Sequence, residues 1–174
     1  MESFNEALYQ IGRLKELQRS GWTRKGIEHP ESVADHSFRC AIIALLCSQV
    51  EGIDTHKLLQ MVLTHDLAES DPAVGDITPL DGIDPQEKHK REETAMKRLC
   101  GTLPNGDMLL NLWLEFEEGK TEEAKMARQI DTVEMALQAQ EYQREYQLDL
   151  SDFIEYARAR VSHPMLITFF EENS

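Results

Sequence analysis

His36, the adjacent pair His65 and Asp66, and Asp131 are the residues of this chain whose types and spacing offer chemistry. Two neutral imidazoles and two carboxylates make a mixed nitrogen and oxygen donor set. Such a set suits Zn²⁺, Mn²⁺, Co²⁺ or Fe²⁺ better than Ca²⁺, which prefers oxygen alone. Glu69 follows one helical turn after His65 and adds a carboxyl group for proton transfer. Taken singly each residue is ordinary. A histidine near a helix start can bond its ring nitrogens to backbone, and a His-Asp dipeptide arises often by chance.

Position gives the set its meaning. On an α-helix His65, Asp66 and Glu69 project within about 100° of one another and continue the line of Leu58 and Val62, so they point toward a core. Asp131 lies beside Ala127, Ile130 and Met135 rather than in a polar run. Buried charges must be paired or must coordinate a metal. A buried ion-pair network is the structural alternative to a metal site.

The elements that must position these residues read as helices almost throughout, with no alternating run bounded by turn residues, so the fold class is all-α. The expected helices cover residues 3 to 19, about 32 to 50, from about 54 through Glu69, 85 to 100, 106 to 118, 121 to 145 and 151 to 172. Ser32 and Asp35 resemble a capping box at the start of the second. Its inward stripe is His36, Cys40, Ile43, Cys47 and Val50. Asp71, Pro72, Gly75, Pro79, Gly82 and Pro85 make a loop of the length that usually carries function, and His163-Pro164 interrupts the last helix. No linker divides the chain. The expectation is one domain over residues 1–174, with a core at about 20–145 and a C-terminal helix at about 151–172 packed on it.

Composition narrows the ligand. The 174 residues carry a net charge of −14, with 41% hydrophobic and 29% charged residues. That balance suits a globular domain and disfavours a nucleic-acid polymer as partner. A small phosphorylated molecule remains compatible, because a bound cation and a few local Arg or Lys residues overcome a global field at short range. Cys40, Cys47 and Cys100 are odd in number and lack metal or disulfide spacing, which fits a reducing, cytoplasmic setting. Cys40 and Cys47 read as small core residues. No stretch is apolar enough to cross a membrane.

The blocks GW…PESVADHSFR, HDLAE, GDITP, EKHKREETAM and QIDTVEMALQAQEY, in that order from about Arg13 to Pro164, resemble the HD-domain superfamily of metal-dependent phosphohydrolases. Within it they are similar to the HD-domain-containing 5′-deoxynucleotidases. The resemblance implies a helical fold, usually a homodimer, that hydrolyses deoxyribonucleoside 5′-monophosphates with one divalent ion, Co, Mn, Zn, Fe or Mg. It also implies His36, His65, Asp66 and Asp131 as metal ligands, Glu69 and Asp76 as acidic residues that position or protonate reacting groups, and Trp22 as an aromatic beside the nucleotide. Two departures stand out. Gly21 occupies the place of an Arg that precedes the Trp in bacterial members, and SDPAVG between Glu69 and Asp76 is two residues longer than the family pattern.

For a phosphate monoester, a metal of this kind lowers the pKa of water towards roughly 7 and withdraws charge from a phosphate oxygen. Glu69 then gives a proton to the 5′ oxygen or takes one from water, and Asp76 orients either partner. Arg24 and Lys25 are candidate phosphate partners beside Trp22, unless Trp22 packs in the core and the two cations are solvated. Arg39 either binds phosphate or pairs with a carboxylate such as Asp35. His89 is expected to face solvent in its charged run, and Trp113 to serve the core or a dimer interface. His29 and His163 each precede a proline and lack a ligand partner. Two other classes share these residues: a nucleotide- or metal-binding regulatory module, and a two-iron oxygenase. The oxygenase needs further histidines between His65 and Asp131, where the sequence has only His89.

Overall fold

The computed structural model of the chain describes residues 4–78 and 81–171. Ser3 and Glu172, expected in helices, and Pro79, expected as a helix breaker, lie outside them. The elements are α1 (Phe4–Gly12), α2 (Ser20–Arg24), α3 (Val33–Leu46), α4 (Thr55–Thr64), α5 (Pro85–Cys100), α6 (Gly106–Glu118), α7 (Glu122–Tyr146), α8 (Ser151–Arg158) and α9 (Pro164–Glu171). Short 3₁₀ turns cover Arg13–Lys15, Cys47–Gln49 and Leu67–Ser70. No strand occurs among the described residues; one isolated antiparallel bridge joins Gln18 to Ser32. Among the described residues no helix is long and apolar enough to cross a membrane.

The chain forms two compact units, residues 1–37 with 63–114 and residues 38–62 with 115–174. In the first, Ala7, Leu14, Val33, Leu67, Met96, Leu99 and Trp113 make the core. The 3₁₀ turn at Leu67–Ser70 packs against α1 and α5. Asp84 caps α5 by accepting hydrogen bonds from the backbone N–H groups of Gln86 and Glu87 at 2.9 and 3.2 Å, and Pro85 fills the first helical position, where it loses no bond. Gly106 starts α6 where a Cβ would lie 1.8 Å from the Cys100 carbonyl oxygen, so no other residue fits without movement.

The second unit is built on α7, against which α8 and α9 pack. Its core holds Cys40, Ile43, Cys47, Leu58, Met61, Ile130, Val133, Leu166 and Phe170. Of the expected stripe, His36, Cys40 and Ile43 on α3 and Cys47 in the 3₁₀ turn after it are each 4% exposed or less, whereas Val50, beyond that turn, is half-buried. Thr121 caps α7 by accepting from the Ala124 N–H at 3.3 Å.

Three elements differ from expectation. The first helix stops at Gly12, a poor helix former, and continues only as a 3₁₀ turn. The loop around Trp22 contains a five-residue helix. The third difference touches the chemistry: α4 ends at Thr64, His65 and Asp66 lie in a turn, and Glu69 falls in the following 3₁₀ turn. Asp71-Pro72 lies just beyond. The residue before a proline disfavours helical backbone, and a tightened last turn is a common way to finish a helix.

Candidate metal centre

Two neighbouring segments assemble the site within the first unit. Residues 17–19 run beside 31–33: the Arg19 N–H donates to the Glu31 carbonyl at 3.0 Å, and the Val33 N–H donates to that of Leu17 at 2.9 Å. Just after this pairing, Ser32 and Asp35 form the capping box. The Ser32 backbone N–H donates to the Asp35 carboxylate at 2.9 Å, and the Asp35 N–H donates to the Ser32 hydroxyl at 3.1 Å. His36 thus enters the first turn of a helix whose start is fixed from both sides.

The 64–71 segment brings the other groups. His36 Nε2 lies 3.4 Å from His65 Nε2 and 3.7 Å from Asp66 Oδ2, and His65 Nε2 lies 3.2 Å from the same Oδ2. His36 is fully buried and His65 is 6% exposed. A proton shared between the two imidazoles would satisfy two of these three atoms. A divalent cation satisfies all three: bonds of about 2.0–2.2 Å in tetrahedral geometry place donor atoms about 3.3–3.6 Å apart. The residues present fit a metal.

Around them stand Glu69, Asp76 and Arg19. Glu69 is 6% exposed, and its Oε2 is buried without a hydrogen-bond partner among the described residues. A buried, unsatisfied carboxylate oxygen is costly and therefore points to a missing partner. Asp76 reaches the site although its loop is longer than the family pattern. Gly75 adopts φ +65°, a left-handed turn that costs glycine little, and the Asp76 carboxylate accepts a hydrogen bond from the Ser20 N–H. The Ser20 hydroxyl also donates to the Asp76 carbonyl at 3.0 Å. Arg19 Nη1 lies 3.5 Å from Asp66 Oδ2 and 4.0 Å from Asp76 Oδ1.

The electrostatics separate the carboxyls. Burial works to raise the Asp66 carboxyl, but the charge and hydrogen bond of His65, then Arg19 and His36, outweigh it and hold Asp66 well below the usual carboxylate range. Burial raises Glu69, and the charges of Asp66 and Asp76 raise it further against the opposing pull of Arg19 and Lys88. Two carboxyls three residues apart are thereby driven in opposite directions.

The remaining sequence candidates have other surroundings. Trp22 is 2% exposed and its indole N–H donates to Glu31 at 2.8 Å, so it takes the packed role of the two weighed for it. Arg24 pairs with Asp81, and Lys25 is half-buried. In the second unit Arg39 donates to Glu134 at 2.9 Å, to Glu141 at 2.8 Å and to Gln138 at 2.5 Å. Burial works against its charge, but Glu134 and Glu141 hold the guanidinium firmly protonated. The expected pairing with a carboxylate occurs, with different partners. Asp131 is half-buried on α7 in the same unit. His89 corrects the expectation of a solvated side chain: it is half-buried and stacks on Trp113, with ring centroids 5.5 Å apart and planes inclined by 14°. Trp113 itself is a core residue of the first unit. Sequence reasoning missed Arg19, assigning it to the end of the first helix. Its place three residues before the candidate Trp22 was the available signal.

A helical fold, without strands among the described residues, in which a buried histidine and a His-Asp pair close on one point defines a class: the chain belongs to the HD domain family, which matches residues 11–166. Among its relatives, the 5′-deoxynucleotidase HDDC2 of Mus musculus is 39% identical over 93% of this chain and 82% of that protein. The 5′-deoxynucleotidase hdd1 of Schizosaccharomyces pombe is 38% identical over 90% and 81%. The crystal structure of the PH0347 protein from Pyrococcus horikoshii OT3 superposes with a TM-score of 0.79 at 31% identity, covering 97% of this chain and 94% of that one.

Proposed function

We propose that this protein is a metal-dependent phosphomonoester hydrolase that converts deoxyribonucleoside 5′-monophosphates to deoxynucleoside and phosphate. The observation that carries the reading is the convergence of His36 Nε2, His65 Nε2 and Asp66 Oδ2 within 3.7 Å of one another, beside the unpartnered Glu69 Oε2. The names of the two 5′-deoxynucleotidase relatives supply the substrate class. Asp131 joins as the fourth ligand on the family resemblance of the block QIDTVEMALQA, where it lies beside Ala127, Ile130 and Met135.

On this reading the four residues would hold a divalent ion, whose Lewis acidity would lower the pKa of water towards neutrality. The protein's own groups do the rest. Glu69 holds or moves a proton at Oε2, between the water and the departing 5′ oxygen, and burial keeps bulk water from competing for it. Asp76, fixed by Ser20, orients one of those partners. An open groove of about 400 Å³, lined by Leu17, Gln18, Ser20, Thr23 and Arg24, begins at the residue that holds Asp76 and gives room for a nucleoside, with Arg24 at its rim. Lys25 lies at the end of α2 beside Arg24, where its charge adds to the attraction for an anion; Trp22 and Arg39 act through packing and through the Glu134–Glu141 pairing.

The assembled form we propose is a homodimer. Phe38, Ile42, Leu45 and Leu46 form an exposed, uncharged apolar stripe on α3, a self-complementary face for a chain whose net charge of −14 would oppose self-association elsewhere. Sedimentation at twice the 20.0 kDa chain mass is expected; a monomer at working concentration overturns the dimer. A reducing, cytoplasmic compartment suits the three buried free cysteines.

The experiment is a substrate panel. Protein stripped of metal and reloaded with Co²⁺, Mn²⁺, Zn²⁺, Fe²⁺ or Mg²⁺ is expected to release phosphate from dAMP, dGMP or dTMP faster than from the ribonucleotides. Equilibrium binding of these nucleotides without turnover under any metal would instead identify a regulatory module.

A further inference from the structure

We infer that Arg24 is a positioning residue for Asp76: through Asp81 and Thr78 it holds the backbone just beyond Asp76, while Ser20, at the other end of the same short helix, holds Asp76 itself. The inference rests on the hydrolase reading, in which Asp76 orients a reacting group, and adds to it a residue that acts only through others.

Asp76 needs such support. It lies beyond the Leu67–Ser70 turn on a loop, and SDPAVG makes the path from Glu69 two residues longer than the family pattern. Each added residue multiplies the directions in which a carboxylate is presented, whereas a misplacement of about 1 Å can cost a reaction about 10²-fold. Gly75, at φ +65°, makes the turn into Asp76, but a glycine turn permits a direction without enforcing it.

Helix α2 enforces it from both ends. At Ser20 the backbone N–H donates to the Asp76 carboxylate, and the hydroxyl donates to the Asp76 carbonyl at 3.0 Å. One turn later, at the last residue of α2, the Arg24 guanidinium closes on the Asp81 carboxylate. That carboxylate also accepts from the Thr78 N–H at 2.7 Å and the Thr78 hydroxyl at 2.9 Å, and the Asp81 N–H donates to the Thr78 carbonyl at 3.0 Å. Thr78 stands two residues after Asp76. A single grip at Asp76 would leave a pivot; the second, just past it, fixes a direction. The helix that grips is itself anchored, because Trp22 between its ends is buried and donates its indole N–H to Glu31. The Arg24–Asp81 pair is partly exposed, so it contributes little to global stability and its effect is local.

The experiment compares Arg24→Ala, Arg24→Lys, Asp81→Asn and the double variant Arg24→Ala with Asp81→Asn in the metal-loaded protein. Asn keeps an oxygen for Thr78 and loses the charge that Arg24 grips. For dAMP, kcat is expected to fall about two- to fivefold in Arg24→Ala and equally in Asp81→Asn, the reach of an exposed ion pair. It falls no further in the double variant and recovers in part in Arg24→Lys. KM, metal content and the unfolding midpoint stay near wild type. Raised ionic strength brings the wild-type kcat down toward that of the variants and leaves theirs unchanged, because it screens a pair they lack. Without any turnover, amide hydrogen exchange reads the same clamp: the Ser20 and Thr78 N–H groups exchange faster in both single variants. A raised KM in Arg24→Ala with wild-type behaviour in Asp81→Asn overturns the inference and makes Arg24 a phosphate contact, and unchanged kcat and exchange in both variants overturn it outright. Absence of turnover by the wild-type protein with every metal and nucleotide would sink the hydrolase reading by a separate observation, with the exchange rates still deciding the clamp.

Discussion

Asp66→Ala is expected to purify without its divalent ion and to release phosphate at least about 10³-fold more slowly than the wild-type chain. A metal's contribution to phosphoryl charge stabilisation is worth several kcal/mol, and each 1.36 kcal/mol is tenfold in rate. The effect is large because Asp66 Oδ2 is the atom common to both histidine contacts, at 3.2 Å from His65 and 3.7 Å from His36. Its removal leaves two buried imidazoles 3.4 Å apart and the proposed ligand Asp131 as the one remaining anionic donor of the set. The measurement is elemental analysis alongside initial rates. Full metal occupancy in Asp66→Ala would show that the ion is bound elsewhere. Because the Asp66 carboxylate pairs with His65, His36 and Arg19, its loss is expected also to lower the unfolding midpoint, so metal content and rate are measured below that midpoint on the folded variant.

Glu69→Gln carries the second large effect, with kcat expected to fall by about 10²–10⁴, the range of positioned proton transfer. Gln keeps the size and the buried environment but cannot hold or release a proton at the position of Oε2. Metal content and KM should stay within about twofold of wild type, because Glu69 is not among the three converging atoms. A fall in metal content equal to the fall in rate would instead make Glu69 a ligand. The burial of Glu69 at 6% exposure, with an oxygen lacking any hydrogen-bond partner among the described residues, is what separates it from the surface acids of this strongly acidic chain.

The parts of the site visible in the sequence are those set by local rules. Ser32 and Asp35 announced the start of α3 because a capping box closes within four residues, and Pro85 and Gly106 marked helix starts for equally local reasons. The inward phase of His36 followed from the apolar residues spaced behind it. The helix end at Thr64 was hidden because the spacing of His65, Asp66 and Glu69 satisfies a 3.6-residue period just as well as the observed turn and 3₁₀ geometry, and only Pro72 hinted at the break. In the observed turn His65 and Glu69 are still buried, while Asp66 is half-buried.

Long-range partners were beyond reach. For Arg39 the sequence offers phosphate binding or a carboxylate such as Asp35 on its own helix, but the carboxylates it meets are Glu134 and Glu141, about a hundred residues away. His89 was read as solvated from the charges beside it, while its ring lies on Trp113 of the next helix. The position of Arg19 beside Asp66 depends on a backbone pairing of 17–19 with 31–33 that no periodicity records. Trp22 shows the same limit: its indole finds Glu31 through that pairing and is packed rather than open.

The most direct test of the central claim is a titration of metal-free protein with Mn²⁺ or Co²⁺ while phosphate release from dAMP is followed. The site formed around His36, His65 and Asp66 predicts no release without metal and a rise to a plateau at one ion per chain, with the same break point in His29→Ala, outside the site. Undiminished release in the metal-free protein, or none at any loading, would contradict it.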